Sequence, residues 1–121
     1  MSNVISLSWN THYETGIPVI DEQRRSMLSM IVSLQYFTGK GAGLLYLSTV
    51  IQMLEKLVFV HVSTIKSIMS KTEFSEYQQR AIAQYDLFLS AKEQAQQAST
   101  ESDAAKIQKT LKEWWMLFHA N

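Results

Sequence analysis

Three histidines are the residues of this sequence with the clearest capacity for metal or acid–base chemistry. They are His12, His61 and His119, and the sequence contains no cysteine. An imidazole binds transition metals and exchanges protons near neutral pH, whereas the lack of thiols excludes a cysteine nucleophile and a zinc–thiolate site. His61 is the informative one, because it follows the apolar segment "LVFV" at residues 57–60. We expect His12 and His119 to be exposed.

The segments that carry these residues are predicted to be helices. Apolar residues recur every three or four positions over about residues 44–70, which is the period of an α-helix with one buried face. His61 lies on that face. A preceding helix of about residues 19–38 carries Arg24 on its apolar stripe, and a third helix follows a turn at Lys71–Thr72, with Thr72 as its N-cap. A fourth helix follows the segment "STESD".

Together the four helices predict an all-α fold. We expect an antiparallel up-down four-helix bundle of residues 19–121 behind an irregular N-terminal arm of residues 1–18. A length of 121 residues, of which 46% are hydrophobic and 18% charged, suits one domain that spans residues 1–121. No alternating pattern of the kind that predicts strands competes with this interpretation.

Charge and hydropathy exclude several classes of partner. Eleven basic and eleven acidic residues cancel, so we expect neither nucleic acid nor an anionic membrane as a partner. The sequence begins without a basic segment and an apolar core, and we expect no secretion signal. Its longest apolar stretch contains Glu55 and Lys56 near the centre, which predicts a buried helix instead of a membrane span. With no cysteine, the composition suits the cytoplasm.

Short motifs lie in a distinctive order along these helices. The chain opens with "SWNTHYETGIPVIDEQRR", the second helix ends with "HVSTIKSIM", and "YDLF" and "LKEWW" follow on the third and fourth helices. This order closely resembles the bacterial hemerythrin family, and the likeness covers nearly the whole chain. The residues in step with the family's opening motif are Trp9, Tyr13, Gly16, Ile17, Ile20, Asp21 and Gln23.

The resemblance implies reversible oxygen binding at a di-iron centre, which the family holds with five histidines and two bridging carboxylates. Such a centre needs imidazoles and carboxylates that converge from all four helices. In this sequence His61 alone keeps a ligand-type residue at a family position. On the first, second and fourth helices the other positions hold Arg24, Ile65 beside Lys66, and Phe118. On the third helix they hold either Ala81 with Tyr85 or Arg80 with Gln84. The sequence ends at Asn121, before the second carboxylate. We therefore expect no metal and no cofactor.

These replacements predict a former metal site that has been repacked. Ile65, Tyr85 and Phe118 would fill the space with carbon, because protein interiors leave few voids. His61 would then be a core histidine that is hydrogen-bonded to Tyr85 or to the backbone. Arg24 needs a partner, since a buried guanidinium without one is strongly unfavourable. It reaches solvent, pairs with a carboxylate, or binds an anion.

Apolar residues also surround the second helix on all sides near His61. Phe59, Val60 and Val62 cannot all face the bundle axis, so we expect them to contact a neighbouring helix or another protein. Trp115, beside the inward-facing Trp114, is a further candidate for that interaction surface. The alternative for these residues is ordinary core packing.

The function that follows is a metal-free hemerythrin-like protein, not an enzyme, that acts as a protein-interaction, signalling or adaptor module. The resemblance implies a partner in bacterial chemotaxis or cyclic-dinucleotide signalling, and a homodimer stays open. One alternative is a small ligand in a residual pocket lined by Arg24, His61 and Tyr85. Another is oxygen or iron binding that is retained through a non-standard site.

Overall fold

The protein is all-α over the range that the structure describes. In this computed structural model the described residues are 8–118, without the side chains of residues 12, 74, 76, 80–84 and 118. No strand occurs in this range. The elements are a single 3-10 turn, η1 (Thr11–Tyr13), and four α-helices, α1 (Pro18–Gly39), α2 (Gly43–Ile68), α3 (Lys71–Gln97) and α4 (Glu101–Phe118).

Helix α1 begins where proline and aspartate favour a helix start. Pro18 occupies the first turn, where its missing N–H is no loss. The carboxylate of Asp21 accepts hydrogen bonds of 2.8 Å from both the backbone N–H and the hydroxyl of Thr15. These bonds lower the pKa of Asp21, the backbone bond having the larger effect. The predicted arm therefore ends one residue earlier than expected, because Pro18 already belongs to the helix.

The turn between α1 and α2 depends on glycine. Gly41 has φ of +74°, a left-handed conformation that glycine adopts without strain. Gly43, the first residue of α2, lies so close to Thr38 that an added Cβ would clash with that side chain. These two glycines let α2 start with only three residues, 40–42, between it and α1.

Helix α3 starts earlier than the sequence predicted. The N-cap is Ser70, whose hydroxyl accepts a hydrogen bond from the backbone N–H of Glu73, while the Glu73 carboxylate accepts one from the Ser70 N–H. This capping box competes with a cap at Thr72, so the predicted turn at Lys71–Thr72 was wrong and both residues lie inside α3. At the start of α4, Thr100 and Asp103 form a similar reciprocal pair.

The four helices enclose one hydrophobic core. Helix α1 packs against α2 and α4, α3 also packs against α2 and α4, and α2 contacts α4 directly. The largest fully buried side chains of the core are Met27, Ile31, Leu34, Leu47, Leu54, Phe88, Leu111, Trp114 and Trp115.

The start of α2 is joined to α4 by a carboxylate. Glu101 accepts a hydrogen bond of 2.8 Å from the backbone N–H of Leu44, in the first turn of α2. The first N–H groups of a helix have no partner within it, and the helix dipole favours negative charge there. Glu101 thus caps a helix that is distant in sequence.

Candidate functional site

His61 lies inside the core and is hydrogen-bonded to α1. Its side chain is 0% exposed, and its Nδ1 lies 3.0 Å from Oε1 of Gln23. The amide nitrogen of Gln23 donates a 2.8 Å hydrogen bond to the Thr64 hydroxyl, which itself donates to the carbonyl of Val60. Because Gln23 uses its nitrogen on Thr64, its oxygen faces the imidazole, and His61 Nδ1 is the donor.

Burial and a neighbouring cation keep His61 neutral. Removal from water lowers the pKa of His61 from 6.5 to about 4, and the charge of Arg24 contributes to the decrease. At neutral pH this imidazole carries no charge and is held in one orientation by Gln23. Sequence analysis predicted a hydrogen-bonded core histidine, but the partner of Nδ1 is Gln23 and not Tyr85.

Arg24 is partly buried and contacts the N-terminal arm. Its Nη1 donates a 2.7 Å hydrogen bond to the backbone carbonyl of Tyr13. Desolvation lowers the pKa of Arg24, and the neighbouring Tyr77 and Asp21 oppose that decrease. Among the described residues, its Nε finds no hydrogen-bond partner. The acceptor that the structure shows for Arg24 is thus a main-chain carbonyl, where the sequence had suggested a carboxylate.

The other residues of the predicted former site are not all brought together. Ile65 is buried one turn after His61, as expected for hydrocarbon at that position. Tyr85 is 39% exposed, and its ring stacks on Phe88 at a centroid distance of 6.1 Å. The prediction that Tyr85 fills the core was wrong, because the buried stripe of α3 runs through Phe88 and Ala91 instead. The side chains of Ala81 and Phe118 lie outside the described residues.

The described neighbours of His61 do not form a metal-binding group. In the described part of the chain, no group of three or more His, Asp or Glu side chains is close enough together to hold a metal ion. The polar groups that the structure describes near His61 include the amide of Gln23, the hydroxyl of Thr64 and the cation of Arg24, and Gln23 was not recognised from the sequence as part of this site. Its position could have revealed it, since it lies three residues after Ile20 and four before Met27, both of which are buried.

A second candidate site is the outer surface of α2. Phe59 is 73% exposed, and Val60 is exposed beside it. Val62 is partly buried against the core, so it takes only a small share in this surface. Leu45 is 75% exposed at the other end of the helix, and sequence analysis missed it because it lies before the "LVFVHV" segment.

Trp115 does not belong to that surface. Its side chain is 0% exposed, and its ring contacts Tyr13 edge-on at a centroid distance of 5.2 Å. The N-terminal arm, which also places Trp9 against Tyr13, covers the side of α4 that carries Trp115. Trp115 as a candidate interaction residue was therefore wrong, and the alternative of core packing is what the structure shows.

The length and composition of α2 would also suit a membrane crossing. It is the one helix of the described chain, Gly43–Ile68, that meets both requirements, and about a third of its most apolar stretch is buried in this structure. A core helix of a protein in water meets the same two requirements.

Comparison with known proteins adds no relative to this picture. No family model, no curated protein and no solved structure matches the chain.

Proposed function

We propose that the chain is a metal-free, hemerythrin-like helix bundle that acts by binding another protein. The observation that carries the proposal is the outer surface of α2, where Leu45 and Phe59 are each about three-quarters exposed. Exposed apolar residues that cluster on one helix face are typical of protein-binding surfaces. The proposed topology is the antiparallel up-down arrangement of α1 to α4, and the helix contacts are compatible with it.

In this proposal, the residues at the former metal site hold parts of the fold together. His61 is hydrogen-bonded to Gln23, and Arg24 to Tyr13, so the polar groups there serve to join α1 to α2 and to the arm. Ile65 supplies hydrocarbon where the resemblance implies a carboxylate. We infer a non-enzymatic function, with a cytoplasmic signalling protein of the chemotaxis or cyclic-dinucleotide type as the partner that the resemblance favours.

The interaction surface can be tested by comparing captured proteins. A tagged Leu45→Ser/Phe59→Ser double variant should lose a partner that the wild-type chain captures from an extract of its native host. The matched control is Tyr36→Ser/Met116→Ser, which removes two exposed apolar side chains from α1 and α4. The control should keep the partner. Equal capture by all three proteins, with unchanged circular dichroism, would remove the support for this surface.

The absence of a di-iron centre has its own test. Protein produced in iron-supplemented medium should contain far less than two irons per chain and should lack the charge-transfer absorption of an oxygen-bridged pair. The reason is that His61 is one ligand atom where such a pair needs several. Near-stoichiometric iron with that absorption would instead establish the alternative, oxygen or iron handling through a non-standard site.

A further inference from the structure

The outer surface of α2 is organised in rows that follow a seven-residue repeat. Residues seven apart on an α-helix lie almost above one another, with a drift of about 20° per repeat. Two rows of this kind carry five of the six large apolar side chains that α2 exposes, and the sixth, Ile68 at the end of the helix, lies outside them. The first row is Leu45, Gln52 and Phe59, and the second is Tyr46, Met53 and Val60.

A row of small side chains and one cation lies between these two rows. It consists of Thr49, Lys56 and Ser63, all of which are exposed. The two rows, which are apolar apart from Gln52, are the apolar ridges of this surface, and they flank the polar row over about 21 Å of the helix. Lys56 lies at the midpoint of the polar row.

The charge of this surface has one sign. The charged residues of α2 are Glu55, Lys56 and Lys66. Glu55 points toward α3, where Lys92 Nζ lies 2.6 Å from its carboxylate oxygen. Lys66 is exposed one repeat after Phe59, at the end of the first row. The outer surface of α2 thus combines apolar ridges with two lysines that carboxylates would complement.

We propose that this surface binds an amphipathic helix of a partner protein, whose apolar residues repeat every seven positions and whose carboxylates face Lys56 and Lys66. Two apolar rows that flank a polar row can bind the apolar face of an amphipathic helix between them. The carboxylates fix its register through charge complementarity. This inference rests on the proposed function and specifies the chemistry of the partner.

Two other occupants fit the surface less well. A second copy of the chain would bring its own Lys56 to the surface. An antiparallel pairing that places Leu45 against Val60 would place Lys56 against Thr49, so Lys56 would have no carboxylate opposite it. An anionic lipid surface suits helices whose lysines border the apolar face, whereas Lys56 lies in the middle of this one. Charge complementarity therefore favours an acidic helix.

The test uses two synthetic peptides and the full chain. Each labelled peptide has about four heptads with leucine at the a and d positions. One of these positions, at the centre of the peptide, instead holds a charged residue. The e and g positions carry charges of the same sign, which oppose pairing of the peptide with itself. One peptide carries glutamate at every charged position and the other carries lysine. Fluorescence anisotropy should show roughly tenfold tighter binding of the glutamate peptide to the wild-type chain.

Charge reversal decides whether Lys56 sets this preference. Lys56→Glu should shift the preference toward the lysine peptide, and Phe59→Ser should weaken binding of the glutamate peptide about tenfold or more. Met116→Lys, on the exposed side of α4, should change neither value. Equal affinity for both peptides, or a preference that Lys56→Glu leaves unchanged, would overturn the inference.

Parallel measurements separate this inference from the proposed function. If Phe59→Ser abolishes dimerisation in sedimentation experiments while neither peptide binds, the partner is a second copy and the acidic helix is wrong. If Phe59→Ser instead abolishes binding to vesicles of anionic lipid, both the helix and the proposed protein partner are wrong. If neither peptide binds but the Leu45→Ser/Phe59→Ser variant still loses a captured partner, only the inference about its chemistry fails.

Discussion

The imidazole of His61 and the side-chain amide of Gln23 form a 3.0 Å hydrogen bond that joins α2 to α1 inside the protein. Nδ1 donates this bond in both protonation states of the ring, whereas a fully buried site favours the neutral imidazole. Protonation would place a second positive charge near Arg24, where burial already disfavours charge. Burial and the charge of Arg24, and not the bond to Gln23, therefore keep the pKa of His61 low.

The depressed pKa of His61 predicts that the protein loses stability in mild acid. In the unfolded chain the imidazole titrates at 6.5, whereas in the folded protein its pKa is about 4. Between these values the unfolded chain binds more protons, so the free energy of unfolding falls as pH falls from 6.5 to 4. The expected loss is about 3 kcal/mol across this window, which urea denaturation at a series of pH values would measure.

The comparison for this experiment is His61→Leu. The variant should lose most of the pH dependence between pH 6.5 and 4, although its stability at neutral pH is lower. Asp21, Glu73 and Asp103 have lowered pKa values as well, but their protonation destabilises the protein at lower pH and is common to both proteins. An imidazole resonance of His61 that titrates near pH 6.5 in NMR spectra would contradict this prediction.

Replacement of Gln23 by glutamate should raise the pKa of His61. A carboxylate about 3 Å from Nδ1 would favour the imidazolium, because opposite charges at this distance stabilise each other. NMR titration of Gln23→Glu should therefore show His61 protonating at higher pH than in the wild-type protein. Ser26→Glu adds the same charge on the exposed side of α1 and should leave the His61 pKa close to the wild-type value. Identical titration curves for the two variants would mean that Gln23 does not contact His61.

Trp115 and Met116 are neighbours in sequence with opposite environments. Trp115 is completely buried against Tyr13, whereas Met116 is exposed. Trp115→Ala should lower the free energy of unfolding by about 3–5 kcal/mol, because it leaves a large cavity. Met116→Ala should change it by less than about 0.5 kcal/mol. Chemical denaturation of the two variants provides the measurement, and similar losses in both would contradict the placement of the arm over α4.

The helices were accessible from sequence because their signals are local. Apolar period and glycine breaks located the starts of all four helices, and the ends of α1 and α2, to within about three residues. Pro18 was assigned to the arm, although it begins α1. The start of α3 was missed, although its signal is also local. Ser70 and Glu73 have the spacing of a capping box, and they were overlooked in favour of Thr72.

The contacts of the candidate site were less accessible, because they join residues that are distant in sequence. Periodicity placed His61 on the buried face of α2, but it could not identify Gln23 as the hydrogen-bond partner across 38 positions. Trp115 was misplaced for a related reason. The N-terminal arm folds back over α4, and no periodic pattern in the arm reports that contact.

Glu101 provides the most selective test of a long-range contact, because it caps the first turn of α2 from the start of α4. Glu101→Ala should reduce the free energy of unfolding by about 1 kcal/mol, since it removes the acceptor for the Leu44 N–H and a negative charge at the N-terminus of α2. Glu101→Gln keeps an acceptor oxygen and should lose less. The exposed Glu113 on α4 is the matched control, and Glu113→Ala should change stability only slightly.

Hydrogen exchange adds a local measurement, in which the Leu44 amide should lose protection in Glu101→Ala but keep it in Glu113→Ala. Unchanged protection of that amide would show that Glu101 does not cap α2.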